Sequence, residues 1–117
     1  DDYGAPSLMS RVLPGDRIES TIECELITPT SQRQGEFLLG RRAAYFIDSG
    51  LLALEGERNG QRSPHEHITW LYVDVRELHK RRRLLRDTAF EIFVRGGCTH
   101  LIGFSTRSAR DKVYDWL

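Results

Sequence analysis

Three groupings in this sequence carry side chains able to do chemistry: Cys98 with His100, the pair His65 and His67, and the run Lys80-Arg81-Arg82-Arg83. A thiol two residues from an imidazole shares a strand face with it, the start of a nucleophile and its base. No acid to orient the imidazole and no oxyanion-binding motif accompanies the pair. His65-x-His67, taken with His79, His100, Cys24 and Cys98, suggests a zinc site, but the C-x-x-C and H-x3-H spacings of structural zinc are absent. Gly96-Gly97 and the glycines at 56 and 60 lack the spacing of a phosphate-cradling loop. Neither catalysis, metal nor cofactor is expected.

The basic run is the sharper feature. Four consecutive cations can grip phosphate, on a lipid or a nucleic acid, or form one step of a folded strand. Formal net charge is zero, so no global field favours DNA, and nucleic acid is not an expected partner. Charge is unevenly spread. Residues 1–30 carry six acids against Arg11 and Arg17, whereas residues 76–95 carry seven bases against Glu77, Asp87 and Glu91. On helical spacing, Val75, Leu78 and Leu85 would make a basic amphipathic helix. On strand spacing, Lys80, Arg82 and Leu84 share one face and Arg81, Arg83 and Leu85 the other, which is tolerable near a sheet edge where Arg stems cover apolar neighbours.

The elements that must position these groups are mostly strands. A chain of 117 residues is one domain's length, and no apolar run approaches the roughly 20 residues of a membrane span. The opening "DDYGAPSLMSRV" is acidic and punctuated, not a secretory signal; residues 1–15 are expected to be a flexible linker and 16–117 the folded domain. The start at Asp and the stop at Trp116-Leu117 suggest a module of a longer polypeptide. Ile22, Cys24 and Leu26 alternate with Thr21, Glu23 and Glu25, a half-buried strand, and both cysteines read as free thiols in apolar strands of a reducing, cytosolic setting. "TPTSQRQG" is a turn; "EFLLG" and "AAYFID" are strands joined near Gly40–Arg42. Residues 56–67 form an exposed loop, "ITWLYV" and "TAFEIFV" are strands, and Gly96-Gly97 closes a hairpin into "CTHLIGF". Only "STRSARDKVYDWL" is helical, capped by Ser105 or Thr106, with Ala109, Val113 and Trp116 as a core-facing stripe. Strands followed by one terminal helix predict an antiparallel, partly open barrel or sandwich with a helix over one opening.

The frame Trp70, Val75, Leu78 to Arg82, Leu84-Leu85, Ala89 to Phe93 and Arg110 to Tyr114 resembles the pleckstrin-homology-like domain that precedes the BEACH domain in BEACH-family proteins. The likeness spans roughly residues 17–117. It implies a mainly β, pleckstrin-homology-like antiparallel sandwich of about seven strands with one C-terminal helix, and it places the basic run in a strand. It further implies a non-catalytic scaffold module of membrane and vesicle traffic or autophagy, cytoplasmic and peripherally membrane-associated. The implied partner is the BEACH domain of the same polypeptide, with Lys80, Arg81, Arg82, Arg83 and Arg86 as candidates to meet it, or to meet anionic lipid instead.

Phosphoinositide-binding members of the wider fold draw cations from the first two strands and the loop joining them. Here that loop offers Arg33 alone, near Glu36, with Arg41 and Arg42 in the next turn as further lipid contacts. One cation does not hold a polyphosphate headgroup against water, and each surface base adds only about 1 kcal/mol toward an anionic membrane.

Overall fold

In a computed structural model, residues 12–49 and 67–117 are described. Seven strands are followed by one helix: β1 Ile18–Ile27, β2 Gln32–Gly40, β3 Ala43–Asp48, β4 His67–Leu71, β5 Val75–Arg83, β6 Arg86–Val94, β7 Thr99–Gly103 and α1 Arg107–Trp116. A short 3-10 turn, Tyr72–Asp74, links β4 to β5. The spatial order is β4-β3-β2-β1-β7-β6-β5, every neighbour antiparallel, as the order of the sequence patterns predicts. Strand β1 joins the two halves only through its end, where Glu25, Leu26 and Ile27 meet Gly103, Ile102 and Leu101. Of the loop expected at 56–67, residues 56–66 lie outside the described residues, and His67, expected to end the loop, instead begins β4.

The main core fills the space between the halves. Cys24, Leu26, Phe37, Phe46 and Trp70 meet Phe90, Ile92, Ile102 and Phe104, and Val113 of α1 closes one side. The Phe37 ring stacks on Trp70 at 5.3 Å and meets Phe90 edge-on at 6.0 Å, arrangements favoured by the ring quadrupole. Strands β2 and β3 do not alternate because both their faces are covered: Leu38, Ala43, Tyr45 and Ile47 form a second cluster. Val12 and Leu13, within the span expected to be linker, pack on that cluster, and the Leu13 amide donates to the Tyr45 hydroxyl.

Close backbone approach explains Gly35. A β-carbon there would sit 2.6 Å from the Phe46 ring and still nearer the Ile47 carbonyl oxygen, both inside the sheet. Gly35→Ala is therefore expected to destabilise by about 1–3 kcal/mol through overpacking, read as a lowered urea midpoint with an unchanged slope.

The segment after Arg83 departs from expectation. Leu84 and Leu85 do not continue the strand on opposite faces; they are the two central residues of a hairpin turn closed by the Arg83–Arg86 pair. Both take left-handed backbone, φ 56° and 69°. Two-residue hairpin turns need positive φ at both positions, which Asn-Gly supplies and Leu resists, at roughly 1–2 kcal/mol per residue. The register of β5 on β6, with Leu78 opposite Ile92 and Lys80 opposite Phe90, imposes the turn against local preference.

Candidate functional site

The basic run does lie in a strand, but its charges have different fates. The Lys80 ammonium sits 3.7 Å from Asp111 and over the Tyr114 ring at 4.8 Å, so it faces α1. Arg81 pairs across the hairpin with Glu91 at 2.9 Å. Arg82 and Arg86 are exposed, and Arg86 reaches only the Ser105 carbonyl, at 3.4 Å. Arg83 is half-buried beside the β1–β2 turn, and its Nε is shielded from solvent with no hydrogen-bond partner among the described residues. Arg82, Arg83 and Arg86 thus surround the Leu84-Leu85 tip with no carboxylate partner among the described residues.

The rest of the recurring frame is a clasp. Thr106 caps α1, its hydroxyl accepting from the Ala109 amide at 3.1 Å, as expected. The helix then presents Arg110, Val113 and Tyr114 to the sheet. The Arg110 side chain is buried. Its guanidinium donates to the Ala89 carbonyl at 2.7 Å, to Asp87 at 2.9 Å and to Asp111 at 2.7 Å. Desolvation alone would favour losing this charge, but the bonds to Asp111 and Asp87 more than offset it and hold the cation above its ordinary range. The Arg110 hydrogen bond in turn lowers the Asp111 carboxyl. Tyr114 donates to the Leu78 carbonyl at 3.3 Å, tying α1 to β5. Arg110 stood in the sequence frame but was not read as a buried tie; its i, i+3, i+4 relation to Val113 and Tyr114 was the available signal.

The remaining lipid candidates do not converge. Arg33, at the start of β2, pairs with Asp48 at 3.1 Å. Arg41 and Arg42 follow the end of β2, about eight residues or ~26 Å of extended strand away. Arg41 pairs with Glu19 at 2.9 Å, and Arg42 donates to the Pro14 carbonyl at 2.6 Å.

Both backbone amides of that turn, and that of Arg17, donate to one oxygen of Asp16, while the Tyr45 hydroxyl donates to the other at 2.5 Å. Burial would raise the Asp16 carboxyl, but the Tyr45 and backbone hydrogen bonds outweigh it and hold the group below its ordinary value. Burial and the same carboxylate push Tyr45 up to about 12. A depressed carboxyl stabilises the fold above its unfolded value and loses that contribution as pH falls through the folded one. The Asp16 share is therefore complete near neutrality and disappears below about pH 4. Asp16→Asn is expected to be less stable at pH 7 yet to show a shallower acid decline, measured by urea unfolding across pH 2–7.

The two thiols lie in different surroundings. Cys24 is buried, and desolvation, with Glu36 and Glu25 nearby, pushes its thiol up. Cys98 is exposed and precedes β7 instead of lying in an apolar strand. His100 Nδ1 accepts the Trp70 indole N–H at 3.2 Å, a structural contact.

One surface went unread in the sequence. Trp116, expected in the core, is 44% exposed, and its indole donates to the Tyr72 hydroxyl at 2.8 Å. Leu71 and Val73 flank Tyr72 and are themselves exposed, Val73 by 76%. An apolar surface therefore collects where the 3-10 turn meets the end of α1. No helix among the described residues is long and apolar enough to cross a membrane.

Comparison with known proteins matches this geometry. The family model described as PH domain associated with Beige/BEACH covers residues 24–117. The chain is 37% identical over 93 residues to the lysosomal-trafficking regulator of Homo sapiens, spanning 78% of this chain and 2% of that protein's length. Among solved structures, the C-terminal domain of an unknown protein from Leishmania infantum superposes with a TM-score of 0.66 at 15% identity, covering 97% of this chain and 87% of that one. The Slm1 PH domain, in complex with inositol 4-phosphate, gives a TM-score of 0.57 at 10% identity over 85% of this chain and 92% of that one. With the seven-stranded sheet, the terminal helix and the Trp70-to-Tyr114 frame in place, the chain belongs to the family of PH domains associated with Beige/BEACH.

Proposed function

We infer that this domain is a non-catalytic packing module that serves a BEACH domain of the same polypeptide, in a cytoplasmic scaffold of membrane or vesicle traffic or autophagy. The observation that carries the reading is the exposed apolar surface of Leu71, Val73 and Trp116 on an otherwise tightly bonded frame. Exposed apolar side chains gathered around one turn favour a protein neighbour, and Trp is among the residues that most often anchor one. Of the basic residues expected to face the BEACH domain, Lys80 and Arg81 already have partners within this domain. Arg82, Arg83 and Arg86 lie apart from that apolar surface, at the β5–β6 hairpin end, so docking is carried by the apolar side chains. Titration of the domain against the separately produced BEACH domain tests the reading. Binding that falls more than about tenfold on Val73→Asp or Trp116→Ala supports it; equal binding by these variants, or none by the parent, refutes it.

A second reading, peripheral attachment to anionic lipid, is favoured by one observation: Arg82, Arg83 and Arg86, without a carboxylate partner among the described residues, gather at one hairpin end. The Slm1 PH domain's inositol phosphate lends it no support beyond a shared fold. Co-sedimentation with vesicles that contain or lack anionic lipid tests it, and loss of binding on Arg82→Glu with Arg86→Glu is the expected result.

A further inference from the structure

We propose that the β5–β6 hairpin is a membrane-inserting finger, in which Leu84 and Leu85 enter the acyl boundary of an anionic bilayer while Arg82, Arg83 and Arg86 hold lipid phosphates around them. The proposal rests on the lipid reading above and adds the insertion step. Four observations carry it. Leu84 and Leu85 are 76% and 88% exposed, at the outermost point of their hairpin. Both hold left-handed backbone that glycine or asparagine would adopt with less strain, so the fold tolerates a costly pair of residues where a polar turn would serve it better. The acid next to the tip, Asp87, is bonded to the buried Arg110 at 2.9 Å. Finally, β5 ends the sheet order, so among the described residues no further strand lies beside the hairpin.

The placement of the cations decides between a bilayer and a protein. Arg83 and Arg86 are opposed across the hairpin, one on each side of the Leu84-Leu85 tip. Arg82 sits at the irregularity in β5 between Arg81 and Arg83 and borders a hollow with Leu85, Arg86, Asp87 and Arg107, whereas Arg83 borders the β1–β2 turn. Positive charge therefore rings the apolar tip. A protein partner meets one side of a ribbon; a lipid surface surrounds whatever enters it. Arginine stems suit that position, because their methylenes lie along the apolar boundary while the guanidinium stays at the phosphate level.

The test uses Leu84→Asn with Leu85→Gly. This pair installs the preferred hairpin turn, so the variant should fold at least as well as the parent while lacking the apolar tip. Partition is measured onto phosphatidylcholine vesicles with and without phosphatidylserine. The parent is expected to bind only the phosphatidylserine vesicles, and the variant to bind them roughly tenfold or more weakly. In a second measurement, Leu85→Trp fluorescence should be quenched by acyl-chain bromolipids in those vesicles. Equal partition of parent and variant, without quenching, overturns insertion while leaving attachment by charge alone intact. No binding by the parent overturns both. If the variant loses affinity for the BEACH domain and vesicles are ignored by the parent, the finger is a protein contact and the proposal fails.

Discussion

Arg110→Ala is expected to cost this domain about 3–5 kcal/mol, enough to leave a domain of ordinary stability close to unfolding. The reason is not the guanidinium's charge alone. Arg110 is fully buried, and its planar fork closes three bonds at once, to the Ala89 carbonyl on β6 and to the carboxylates of Asp87 and Asp111. Truncation leaves the Ala89 carbonyl unsatisfied beside the cavity of the lost side chain, releases the half-exposed Asp87 and Asp111 to solvent, and detaches α1 from the sheet at the point where Val113 enters the core. Arg110→Lys keeps the charge but not the fork and should recover only part of the loss. Thermal unfolding reads the effect as a drop on the order of 15–30 °C for the alanine variant. A drop of a few degrees would mean that the helix is held by its apolar face alone.

The second large effect is at the other end of the family frame. Trp70→Ala is expected to cost about 3–5 kcal/mol, because the indole fills the centre of the core against Phe37 and leaves a cavity that β2 and β4 cannot close. Trp70→Phe should be much milder: it retains the stack and loses the indole bond to His100, a net contribution of about 1 kcal/mol. Denaturant unfolding of the two variants separates packing from hydrogen bonding. If Trp70→Phe is as damaging as Trp70→Ala, the His100 bond carries the position and the packing account is wrong.

Both predictions express one division of labour. The inward-facing residues of the frame, Trp70, Arg110 and Tyr114, hold the sheet and helix together, while the side chains left facing outward, Leu84 and Leu85 of the same frame with Val73 and Trp116, are not needed for that. Much of this was legible in the sequence. The alternation at Ile22, Cys24 and Leu26 identified β1 because only one of its faces is buried. The Thr106 cap and the four-residue step from Ala109 to Val113 identified α1. The hairpin tip was not legible. Leu84-Leu85 carries no Gly, Asn or Pro, and the reversal is dictated by strand register, a long-range property that local propensity does not report.

Trp116 was misjudged for a related reason. Three residues beyond Val113, it lies near the core stripe in angle but at the last turn of the helix. There its ring stays half in solvent beside Tyr72. Arg110 shows the converse. A charged residue in an amphipathic helix reads as solvent-facing, and only the carbonyl and carboxylates that surround it reveal a buried tie. The basic run was ambiguous between helix and strand on spacing, was placed in a strand only by the family resemblance, and gave no sign in "KRRR" of which bases meet Asp111 and Glu91.

The most direct test of the docking claim is amide hydrogen exchange of this domain alone and with its BEACH domain added. Slowed exchange confined to Leu71–Asp74 and the last turn of α1, with residues 83–86 unchanged, is the predicted result. Protection centred on the Leu84-Leu85 tip, or an exchange pattern indifferent to the added domain, would contradict it.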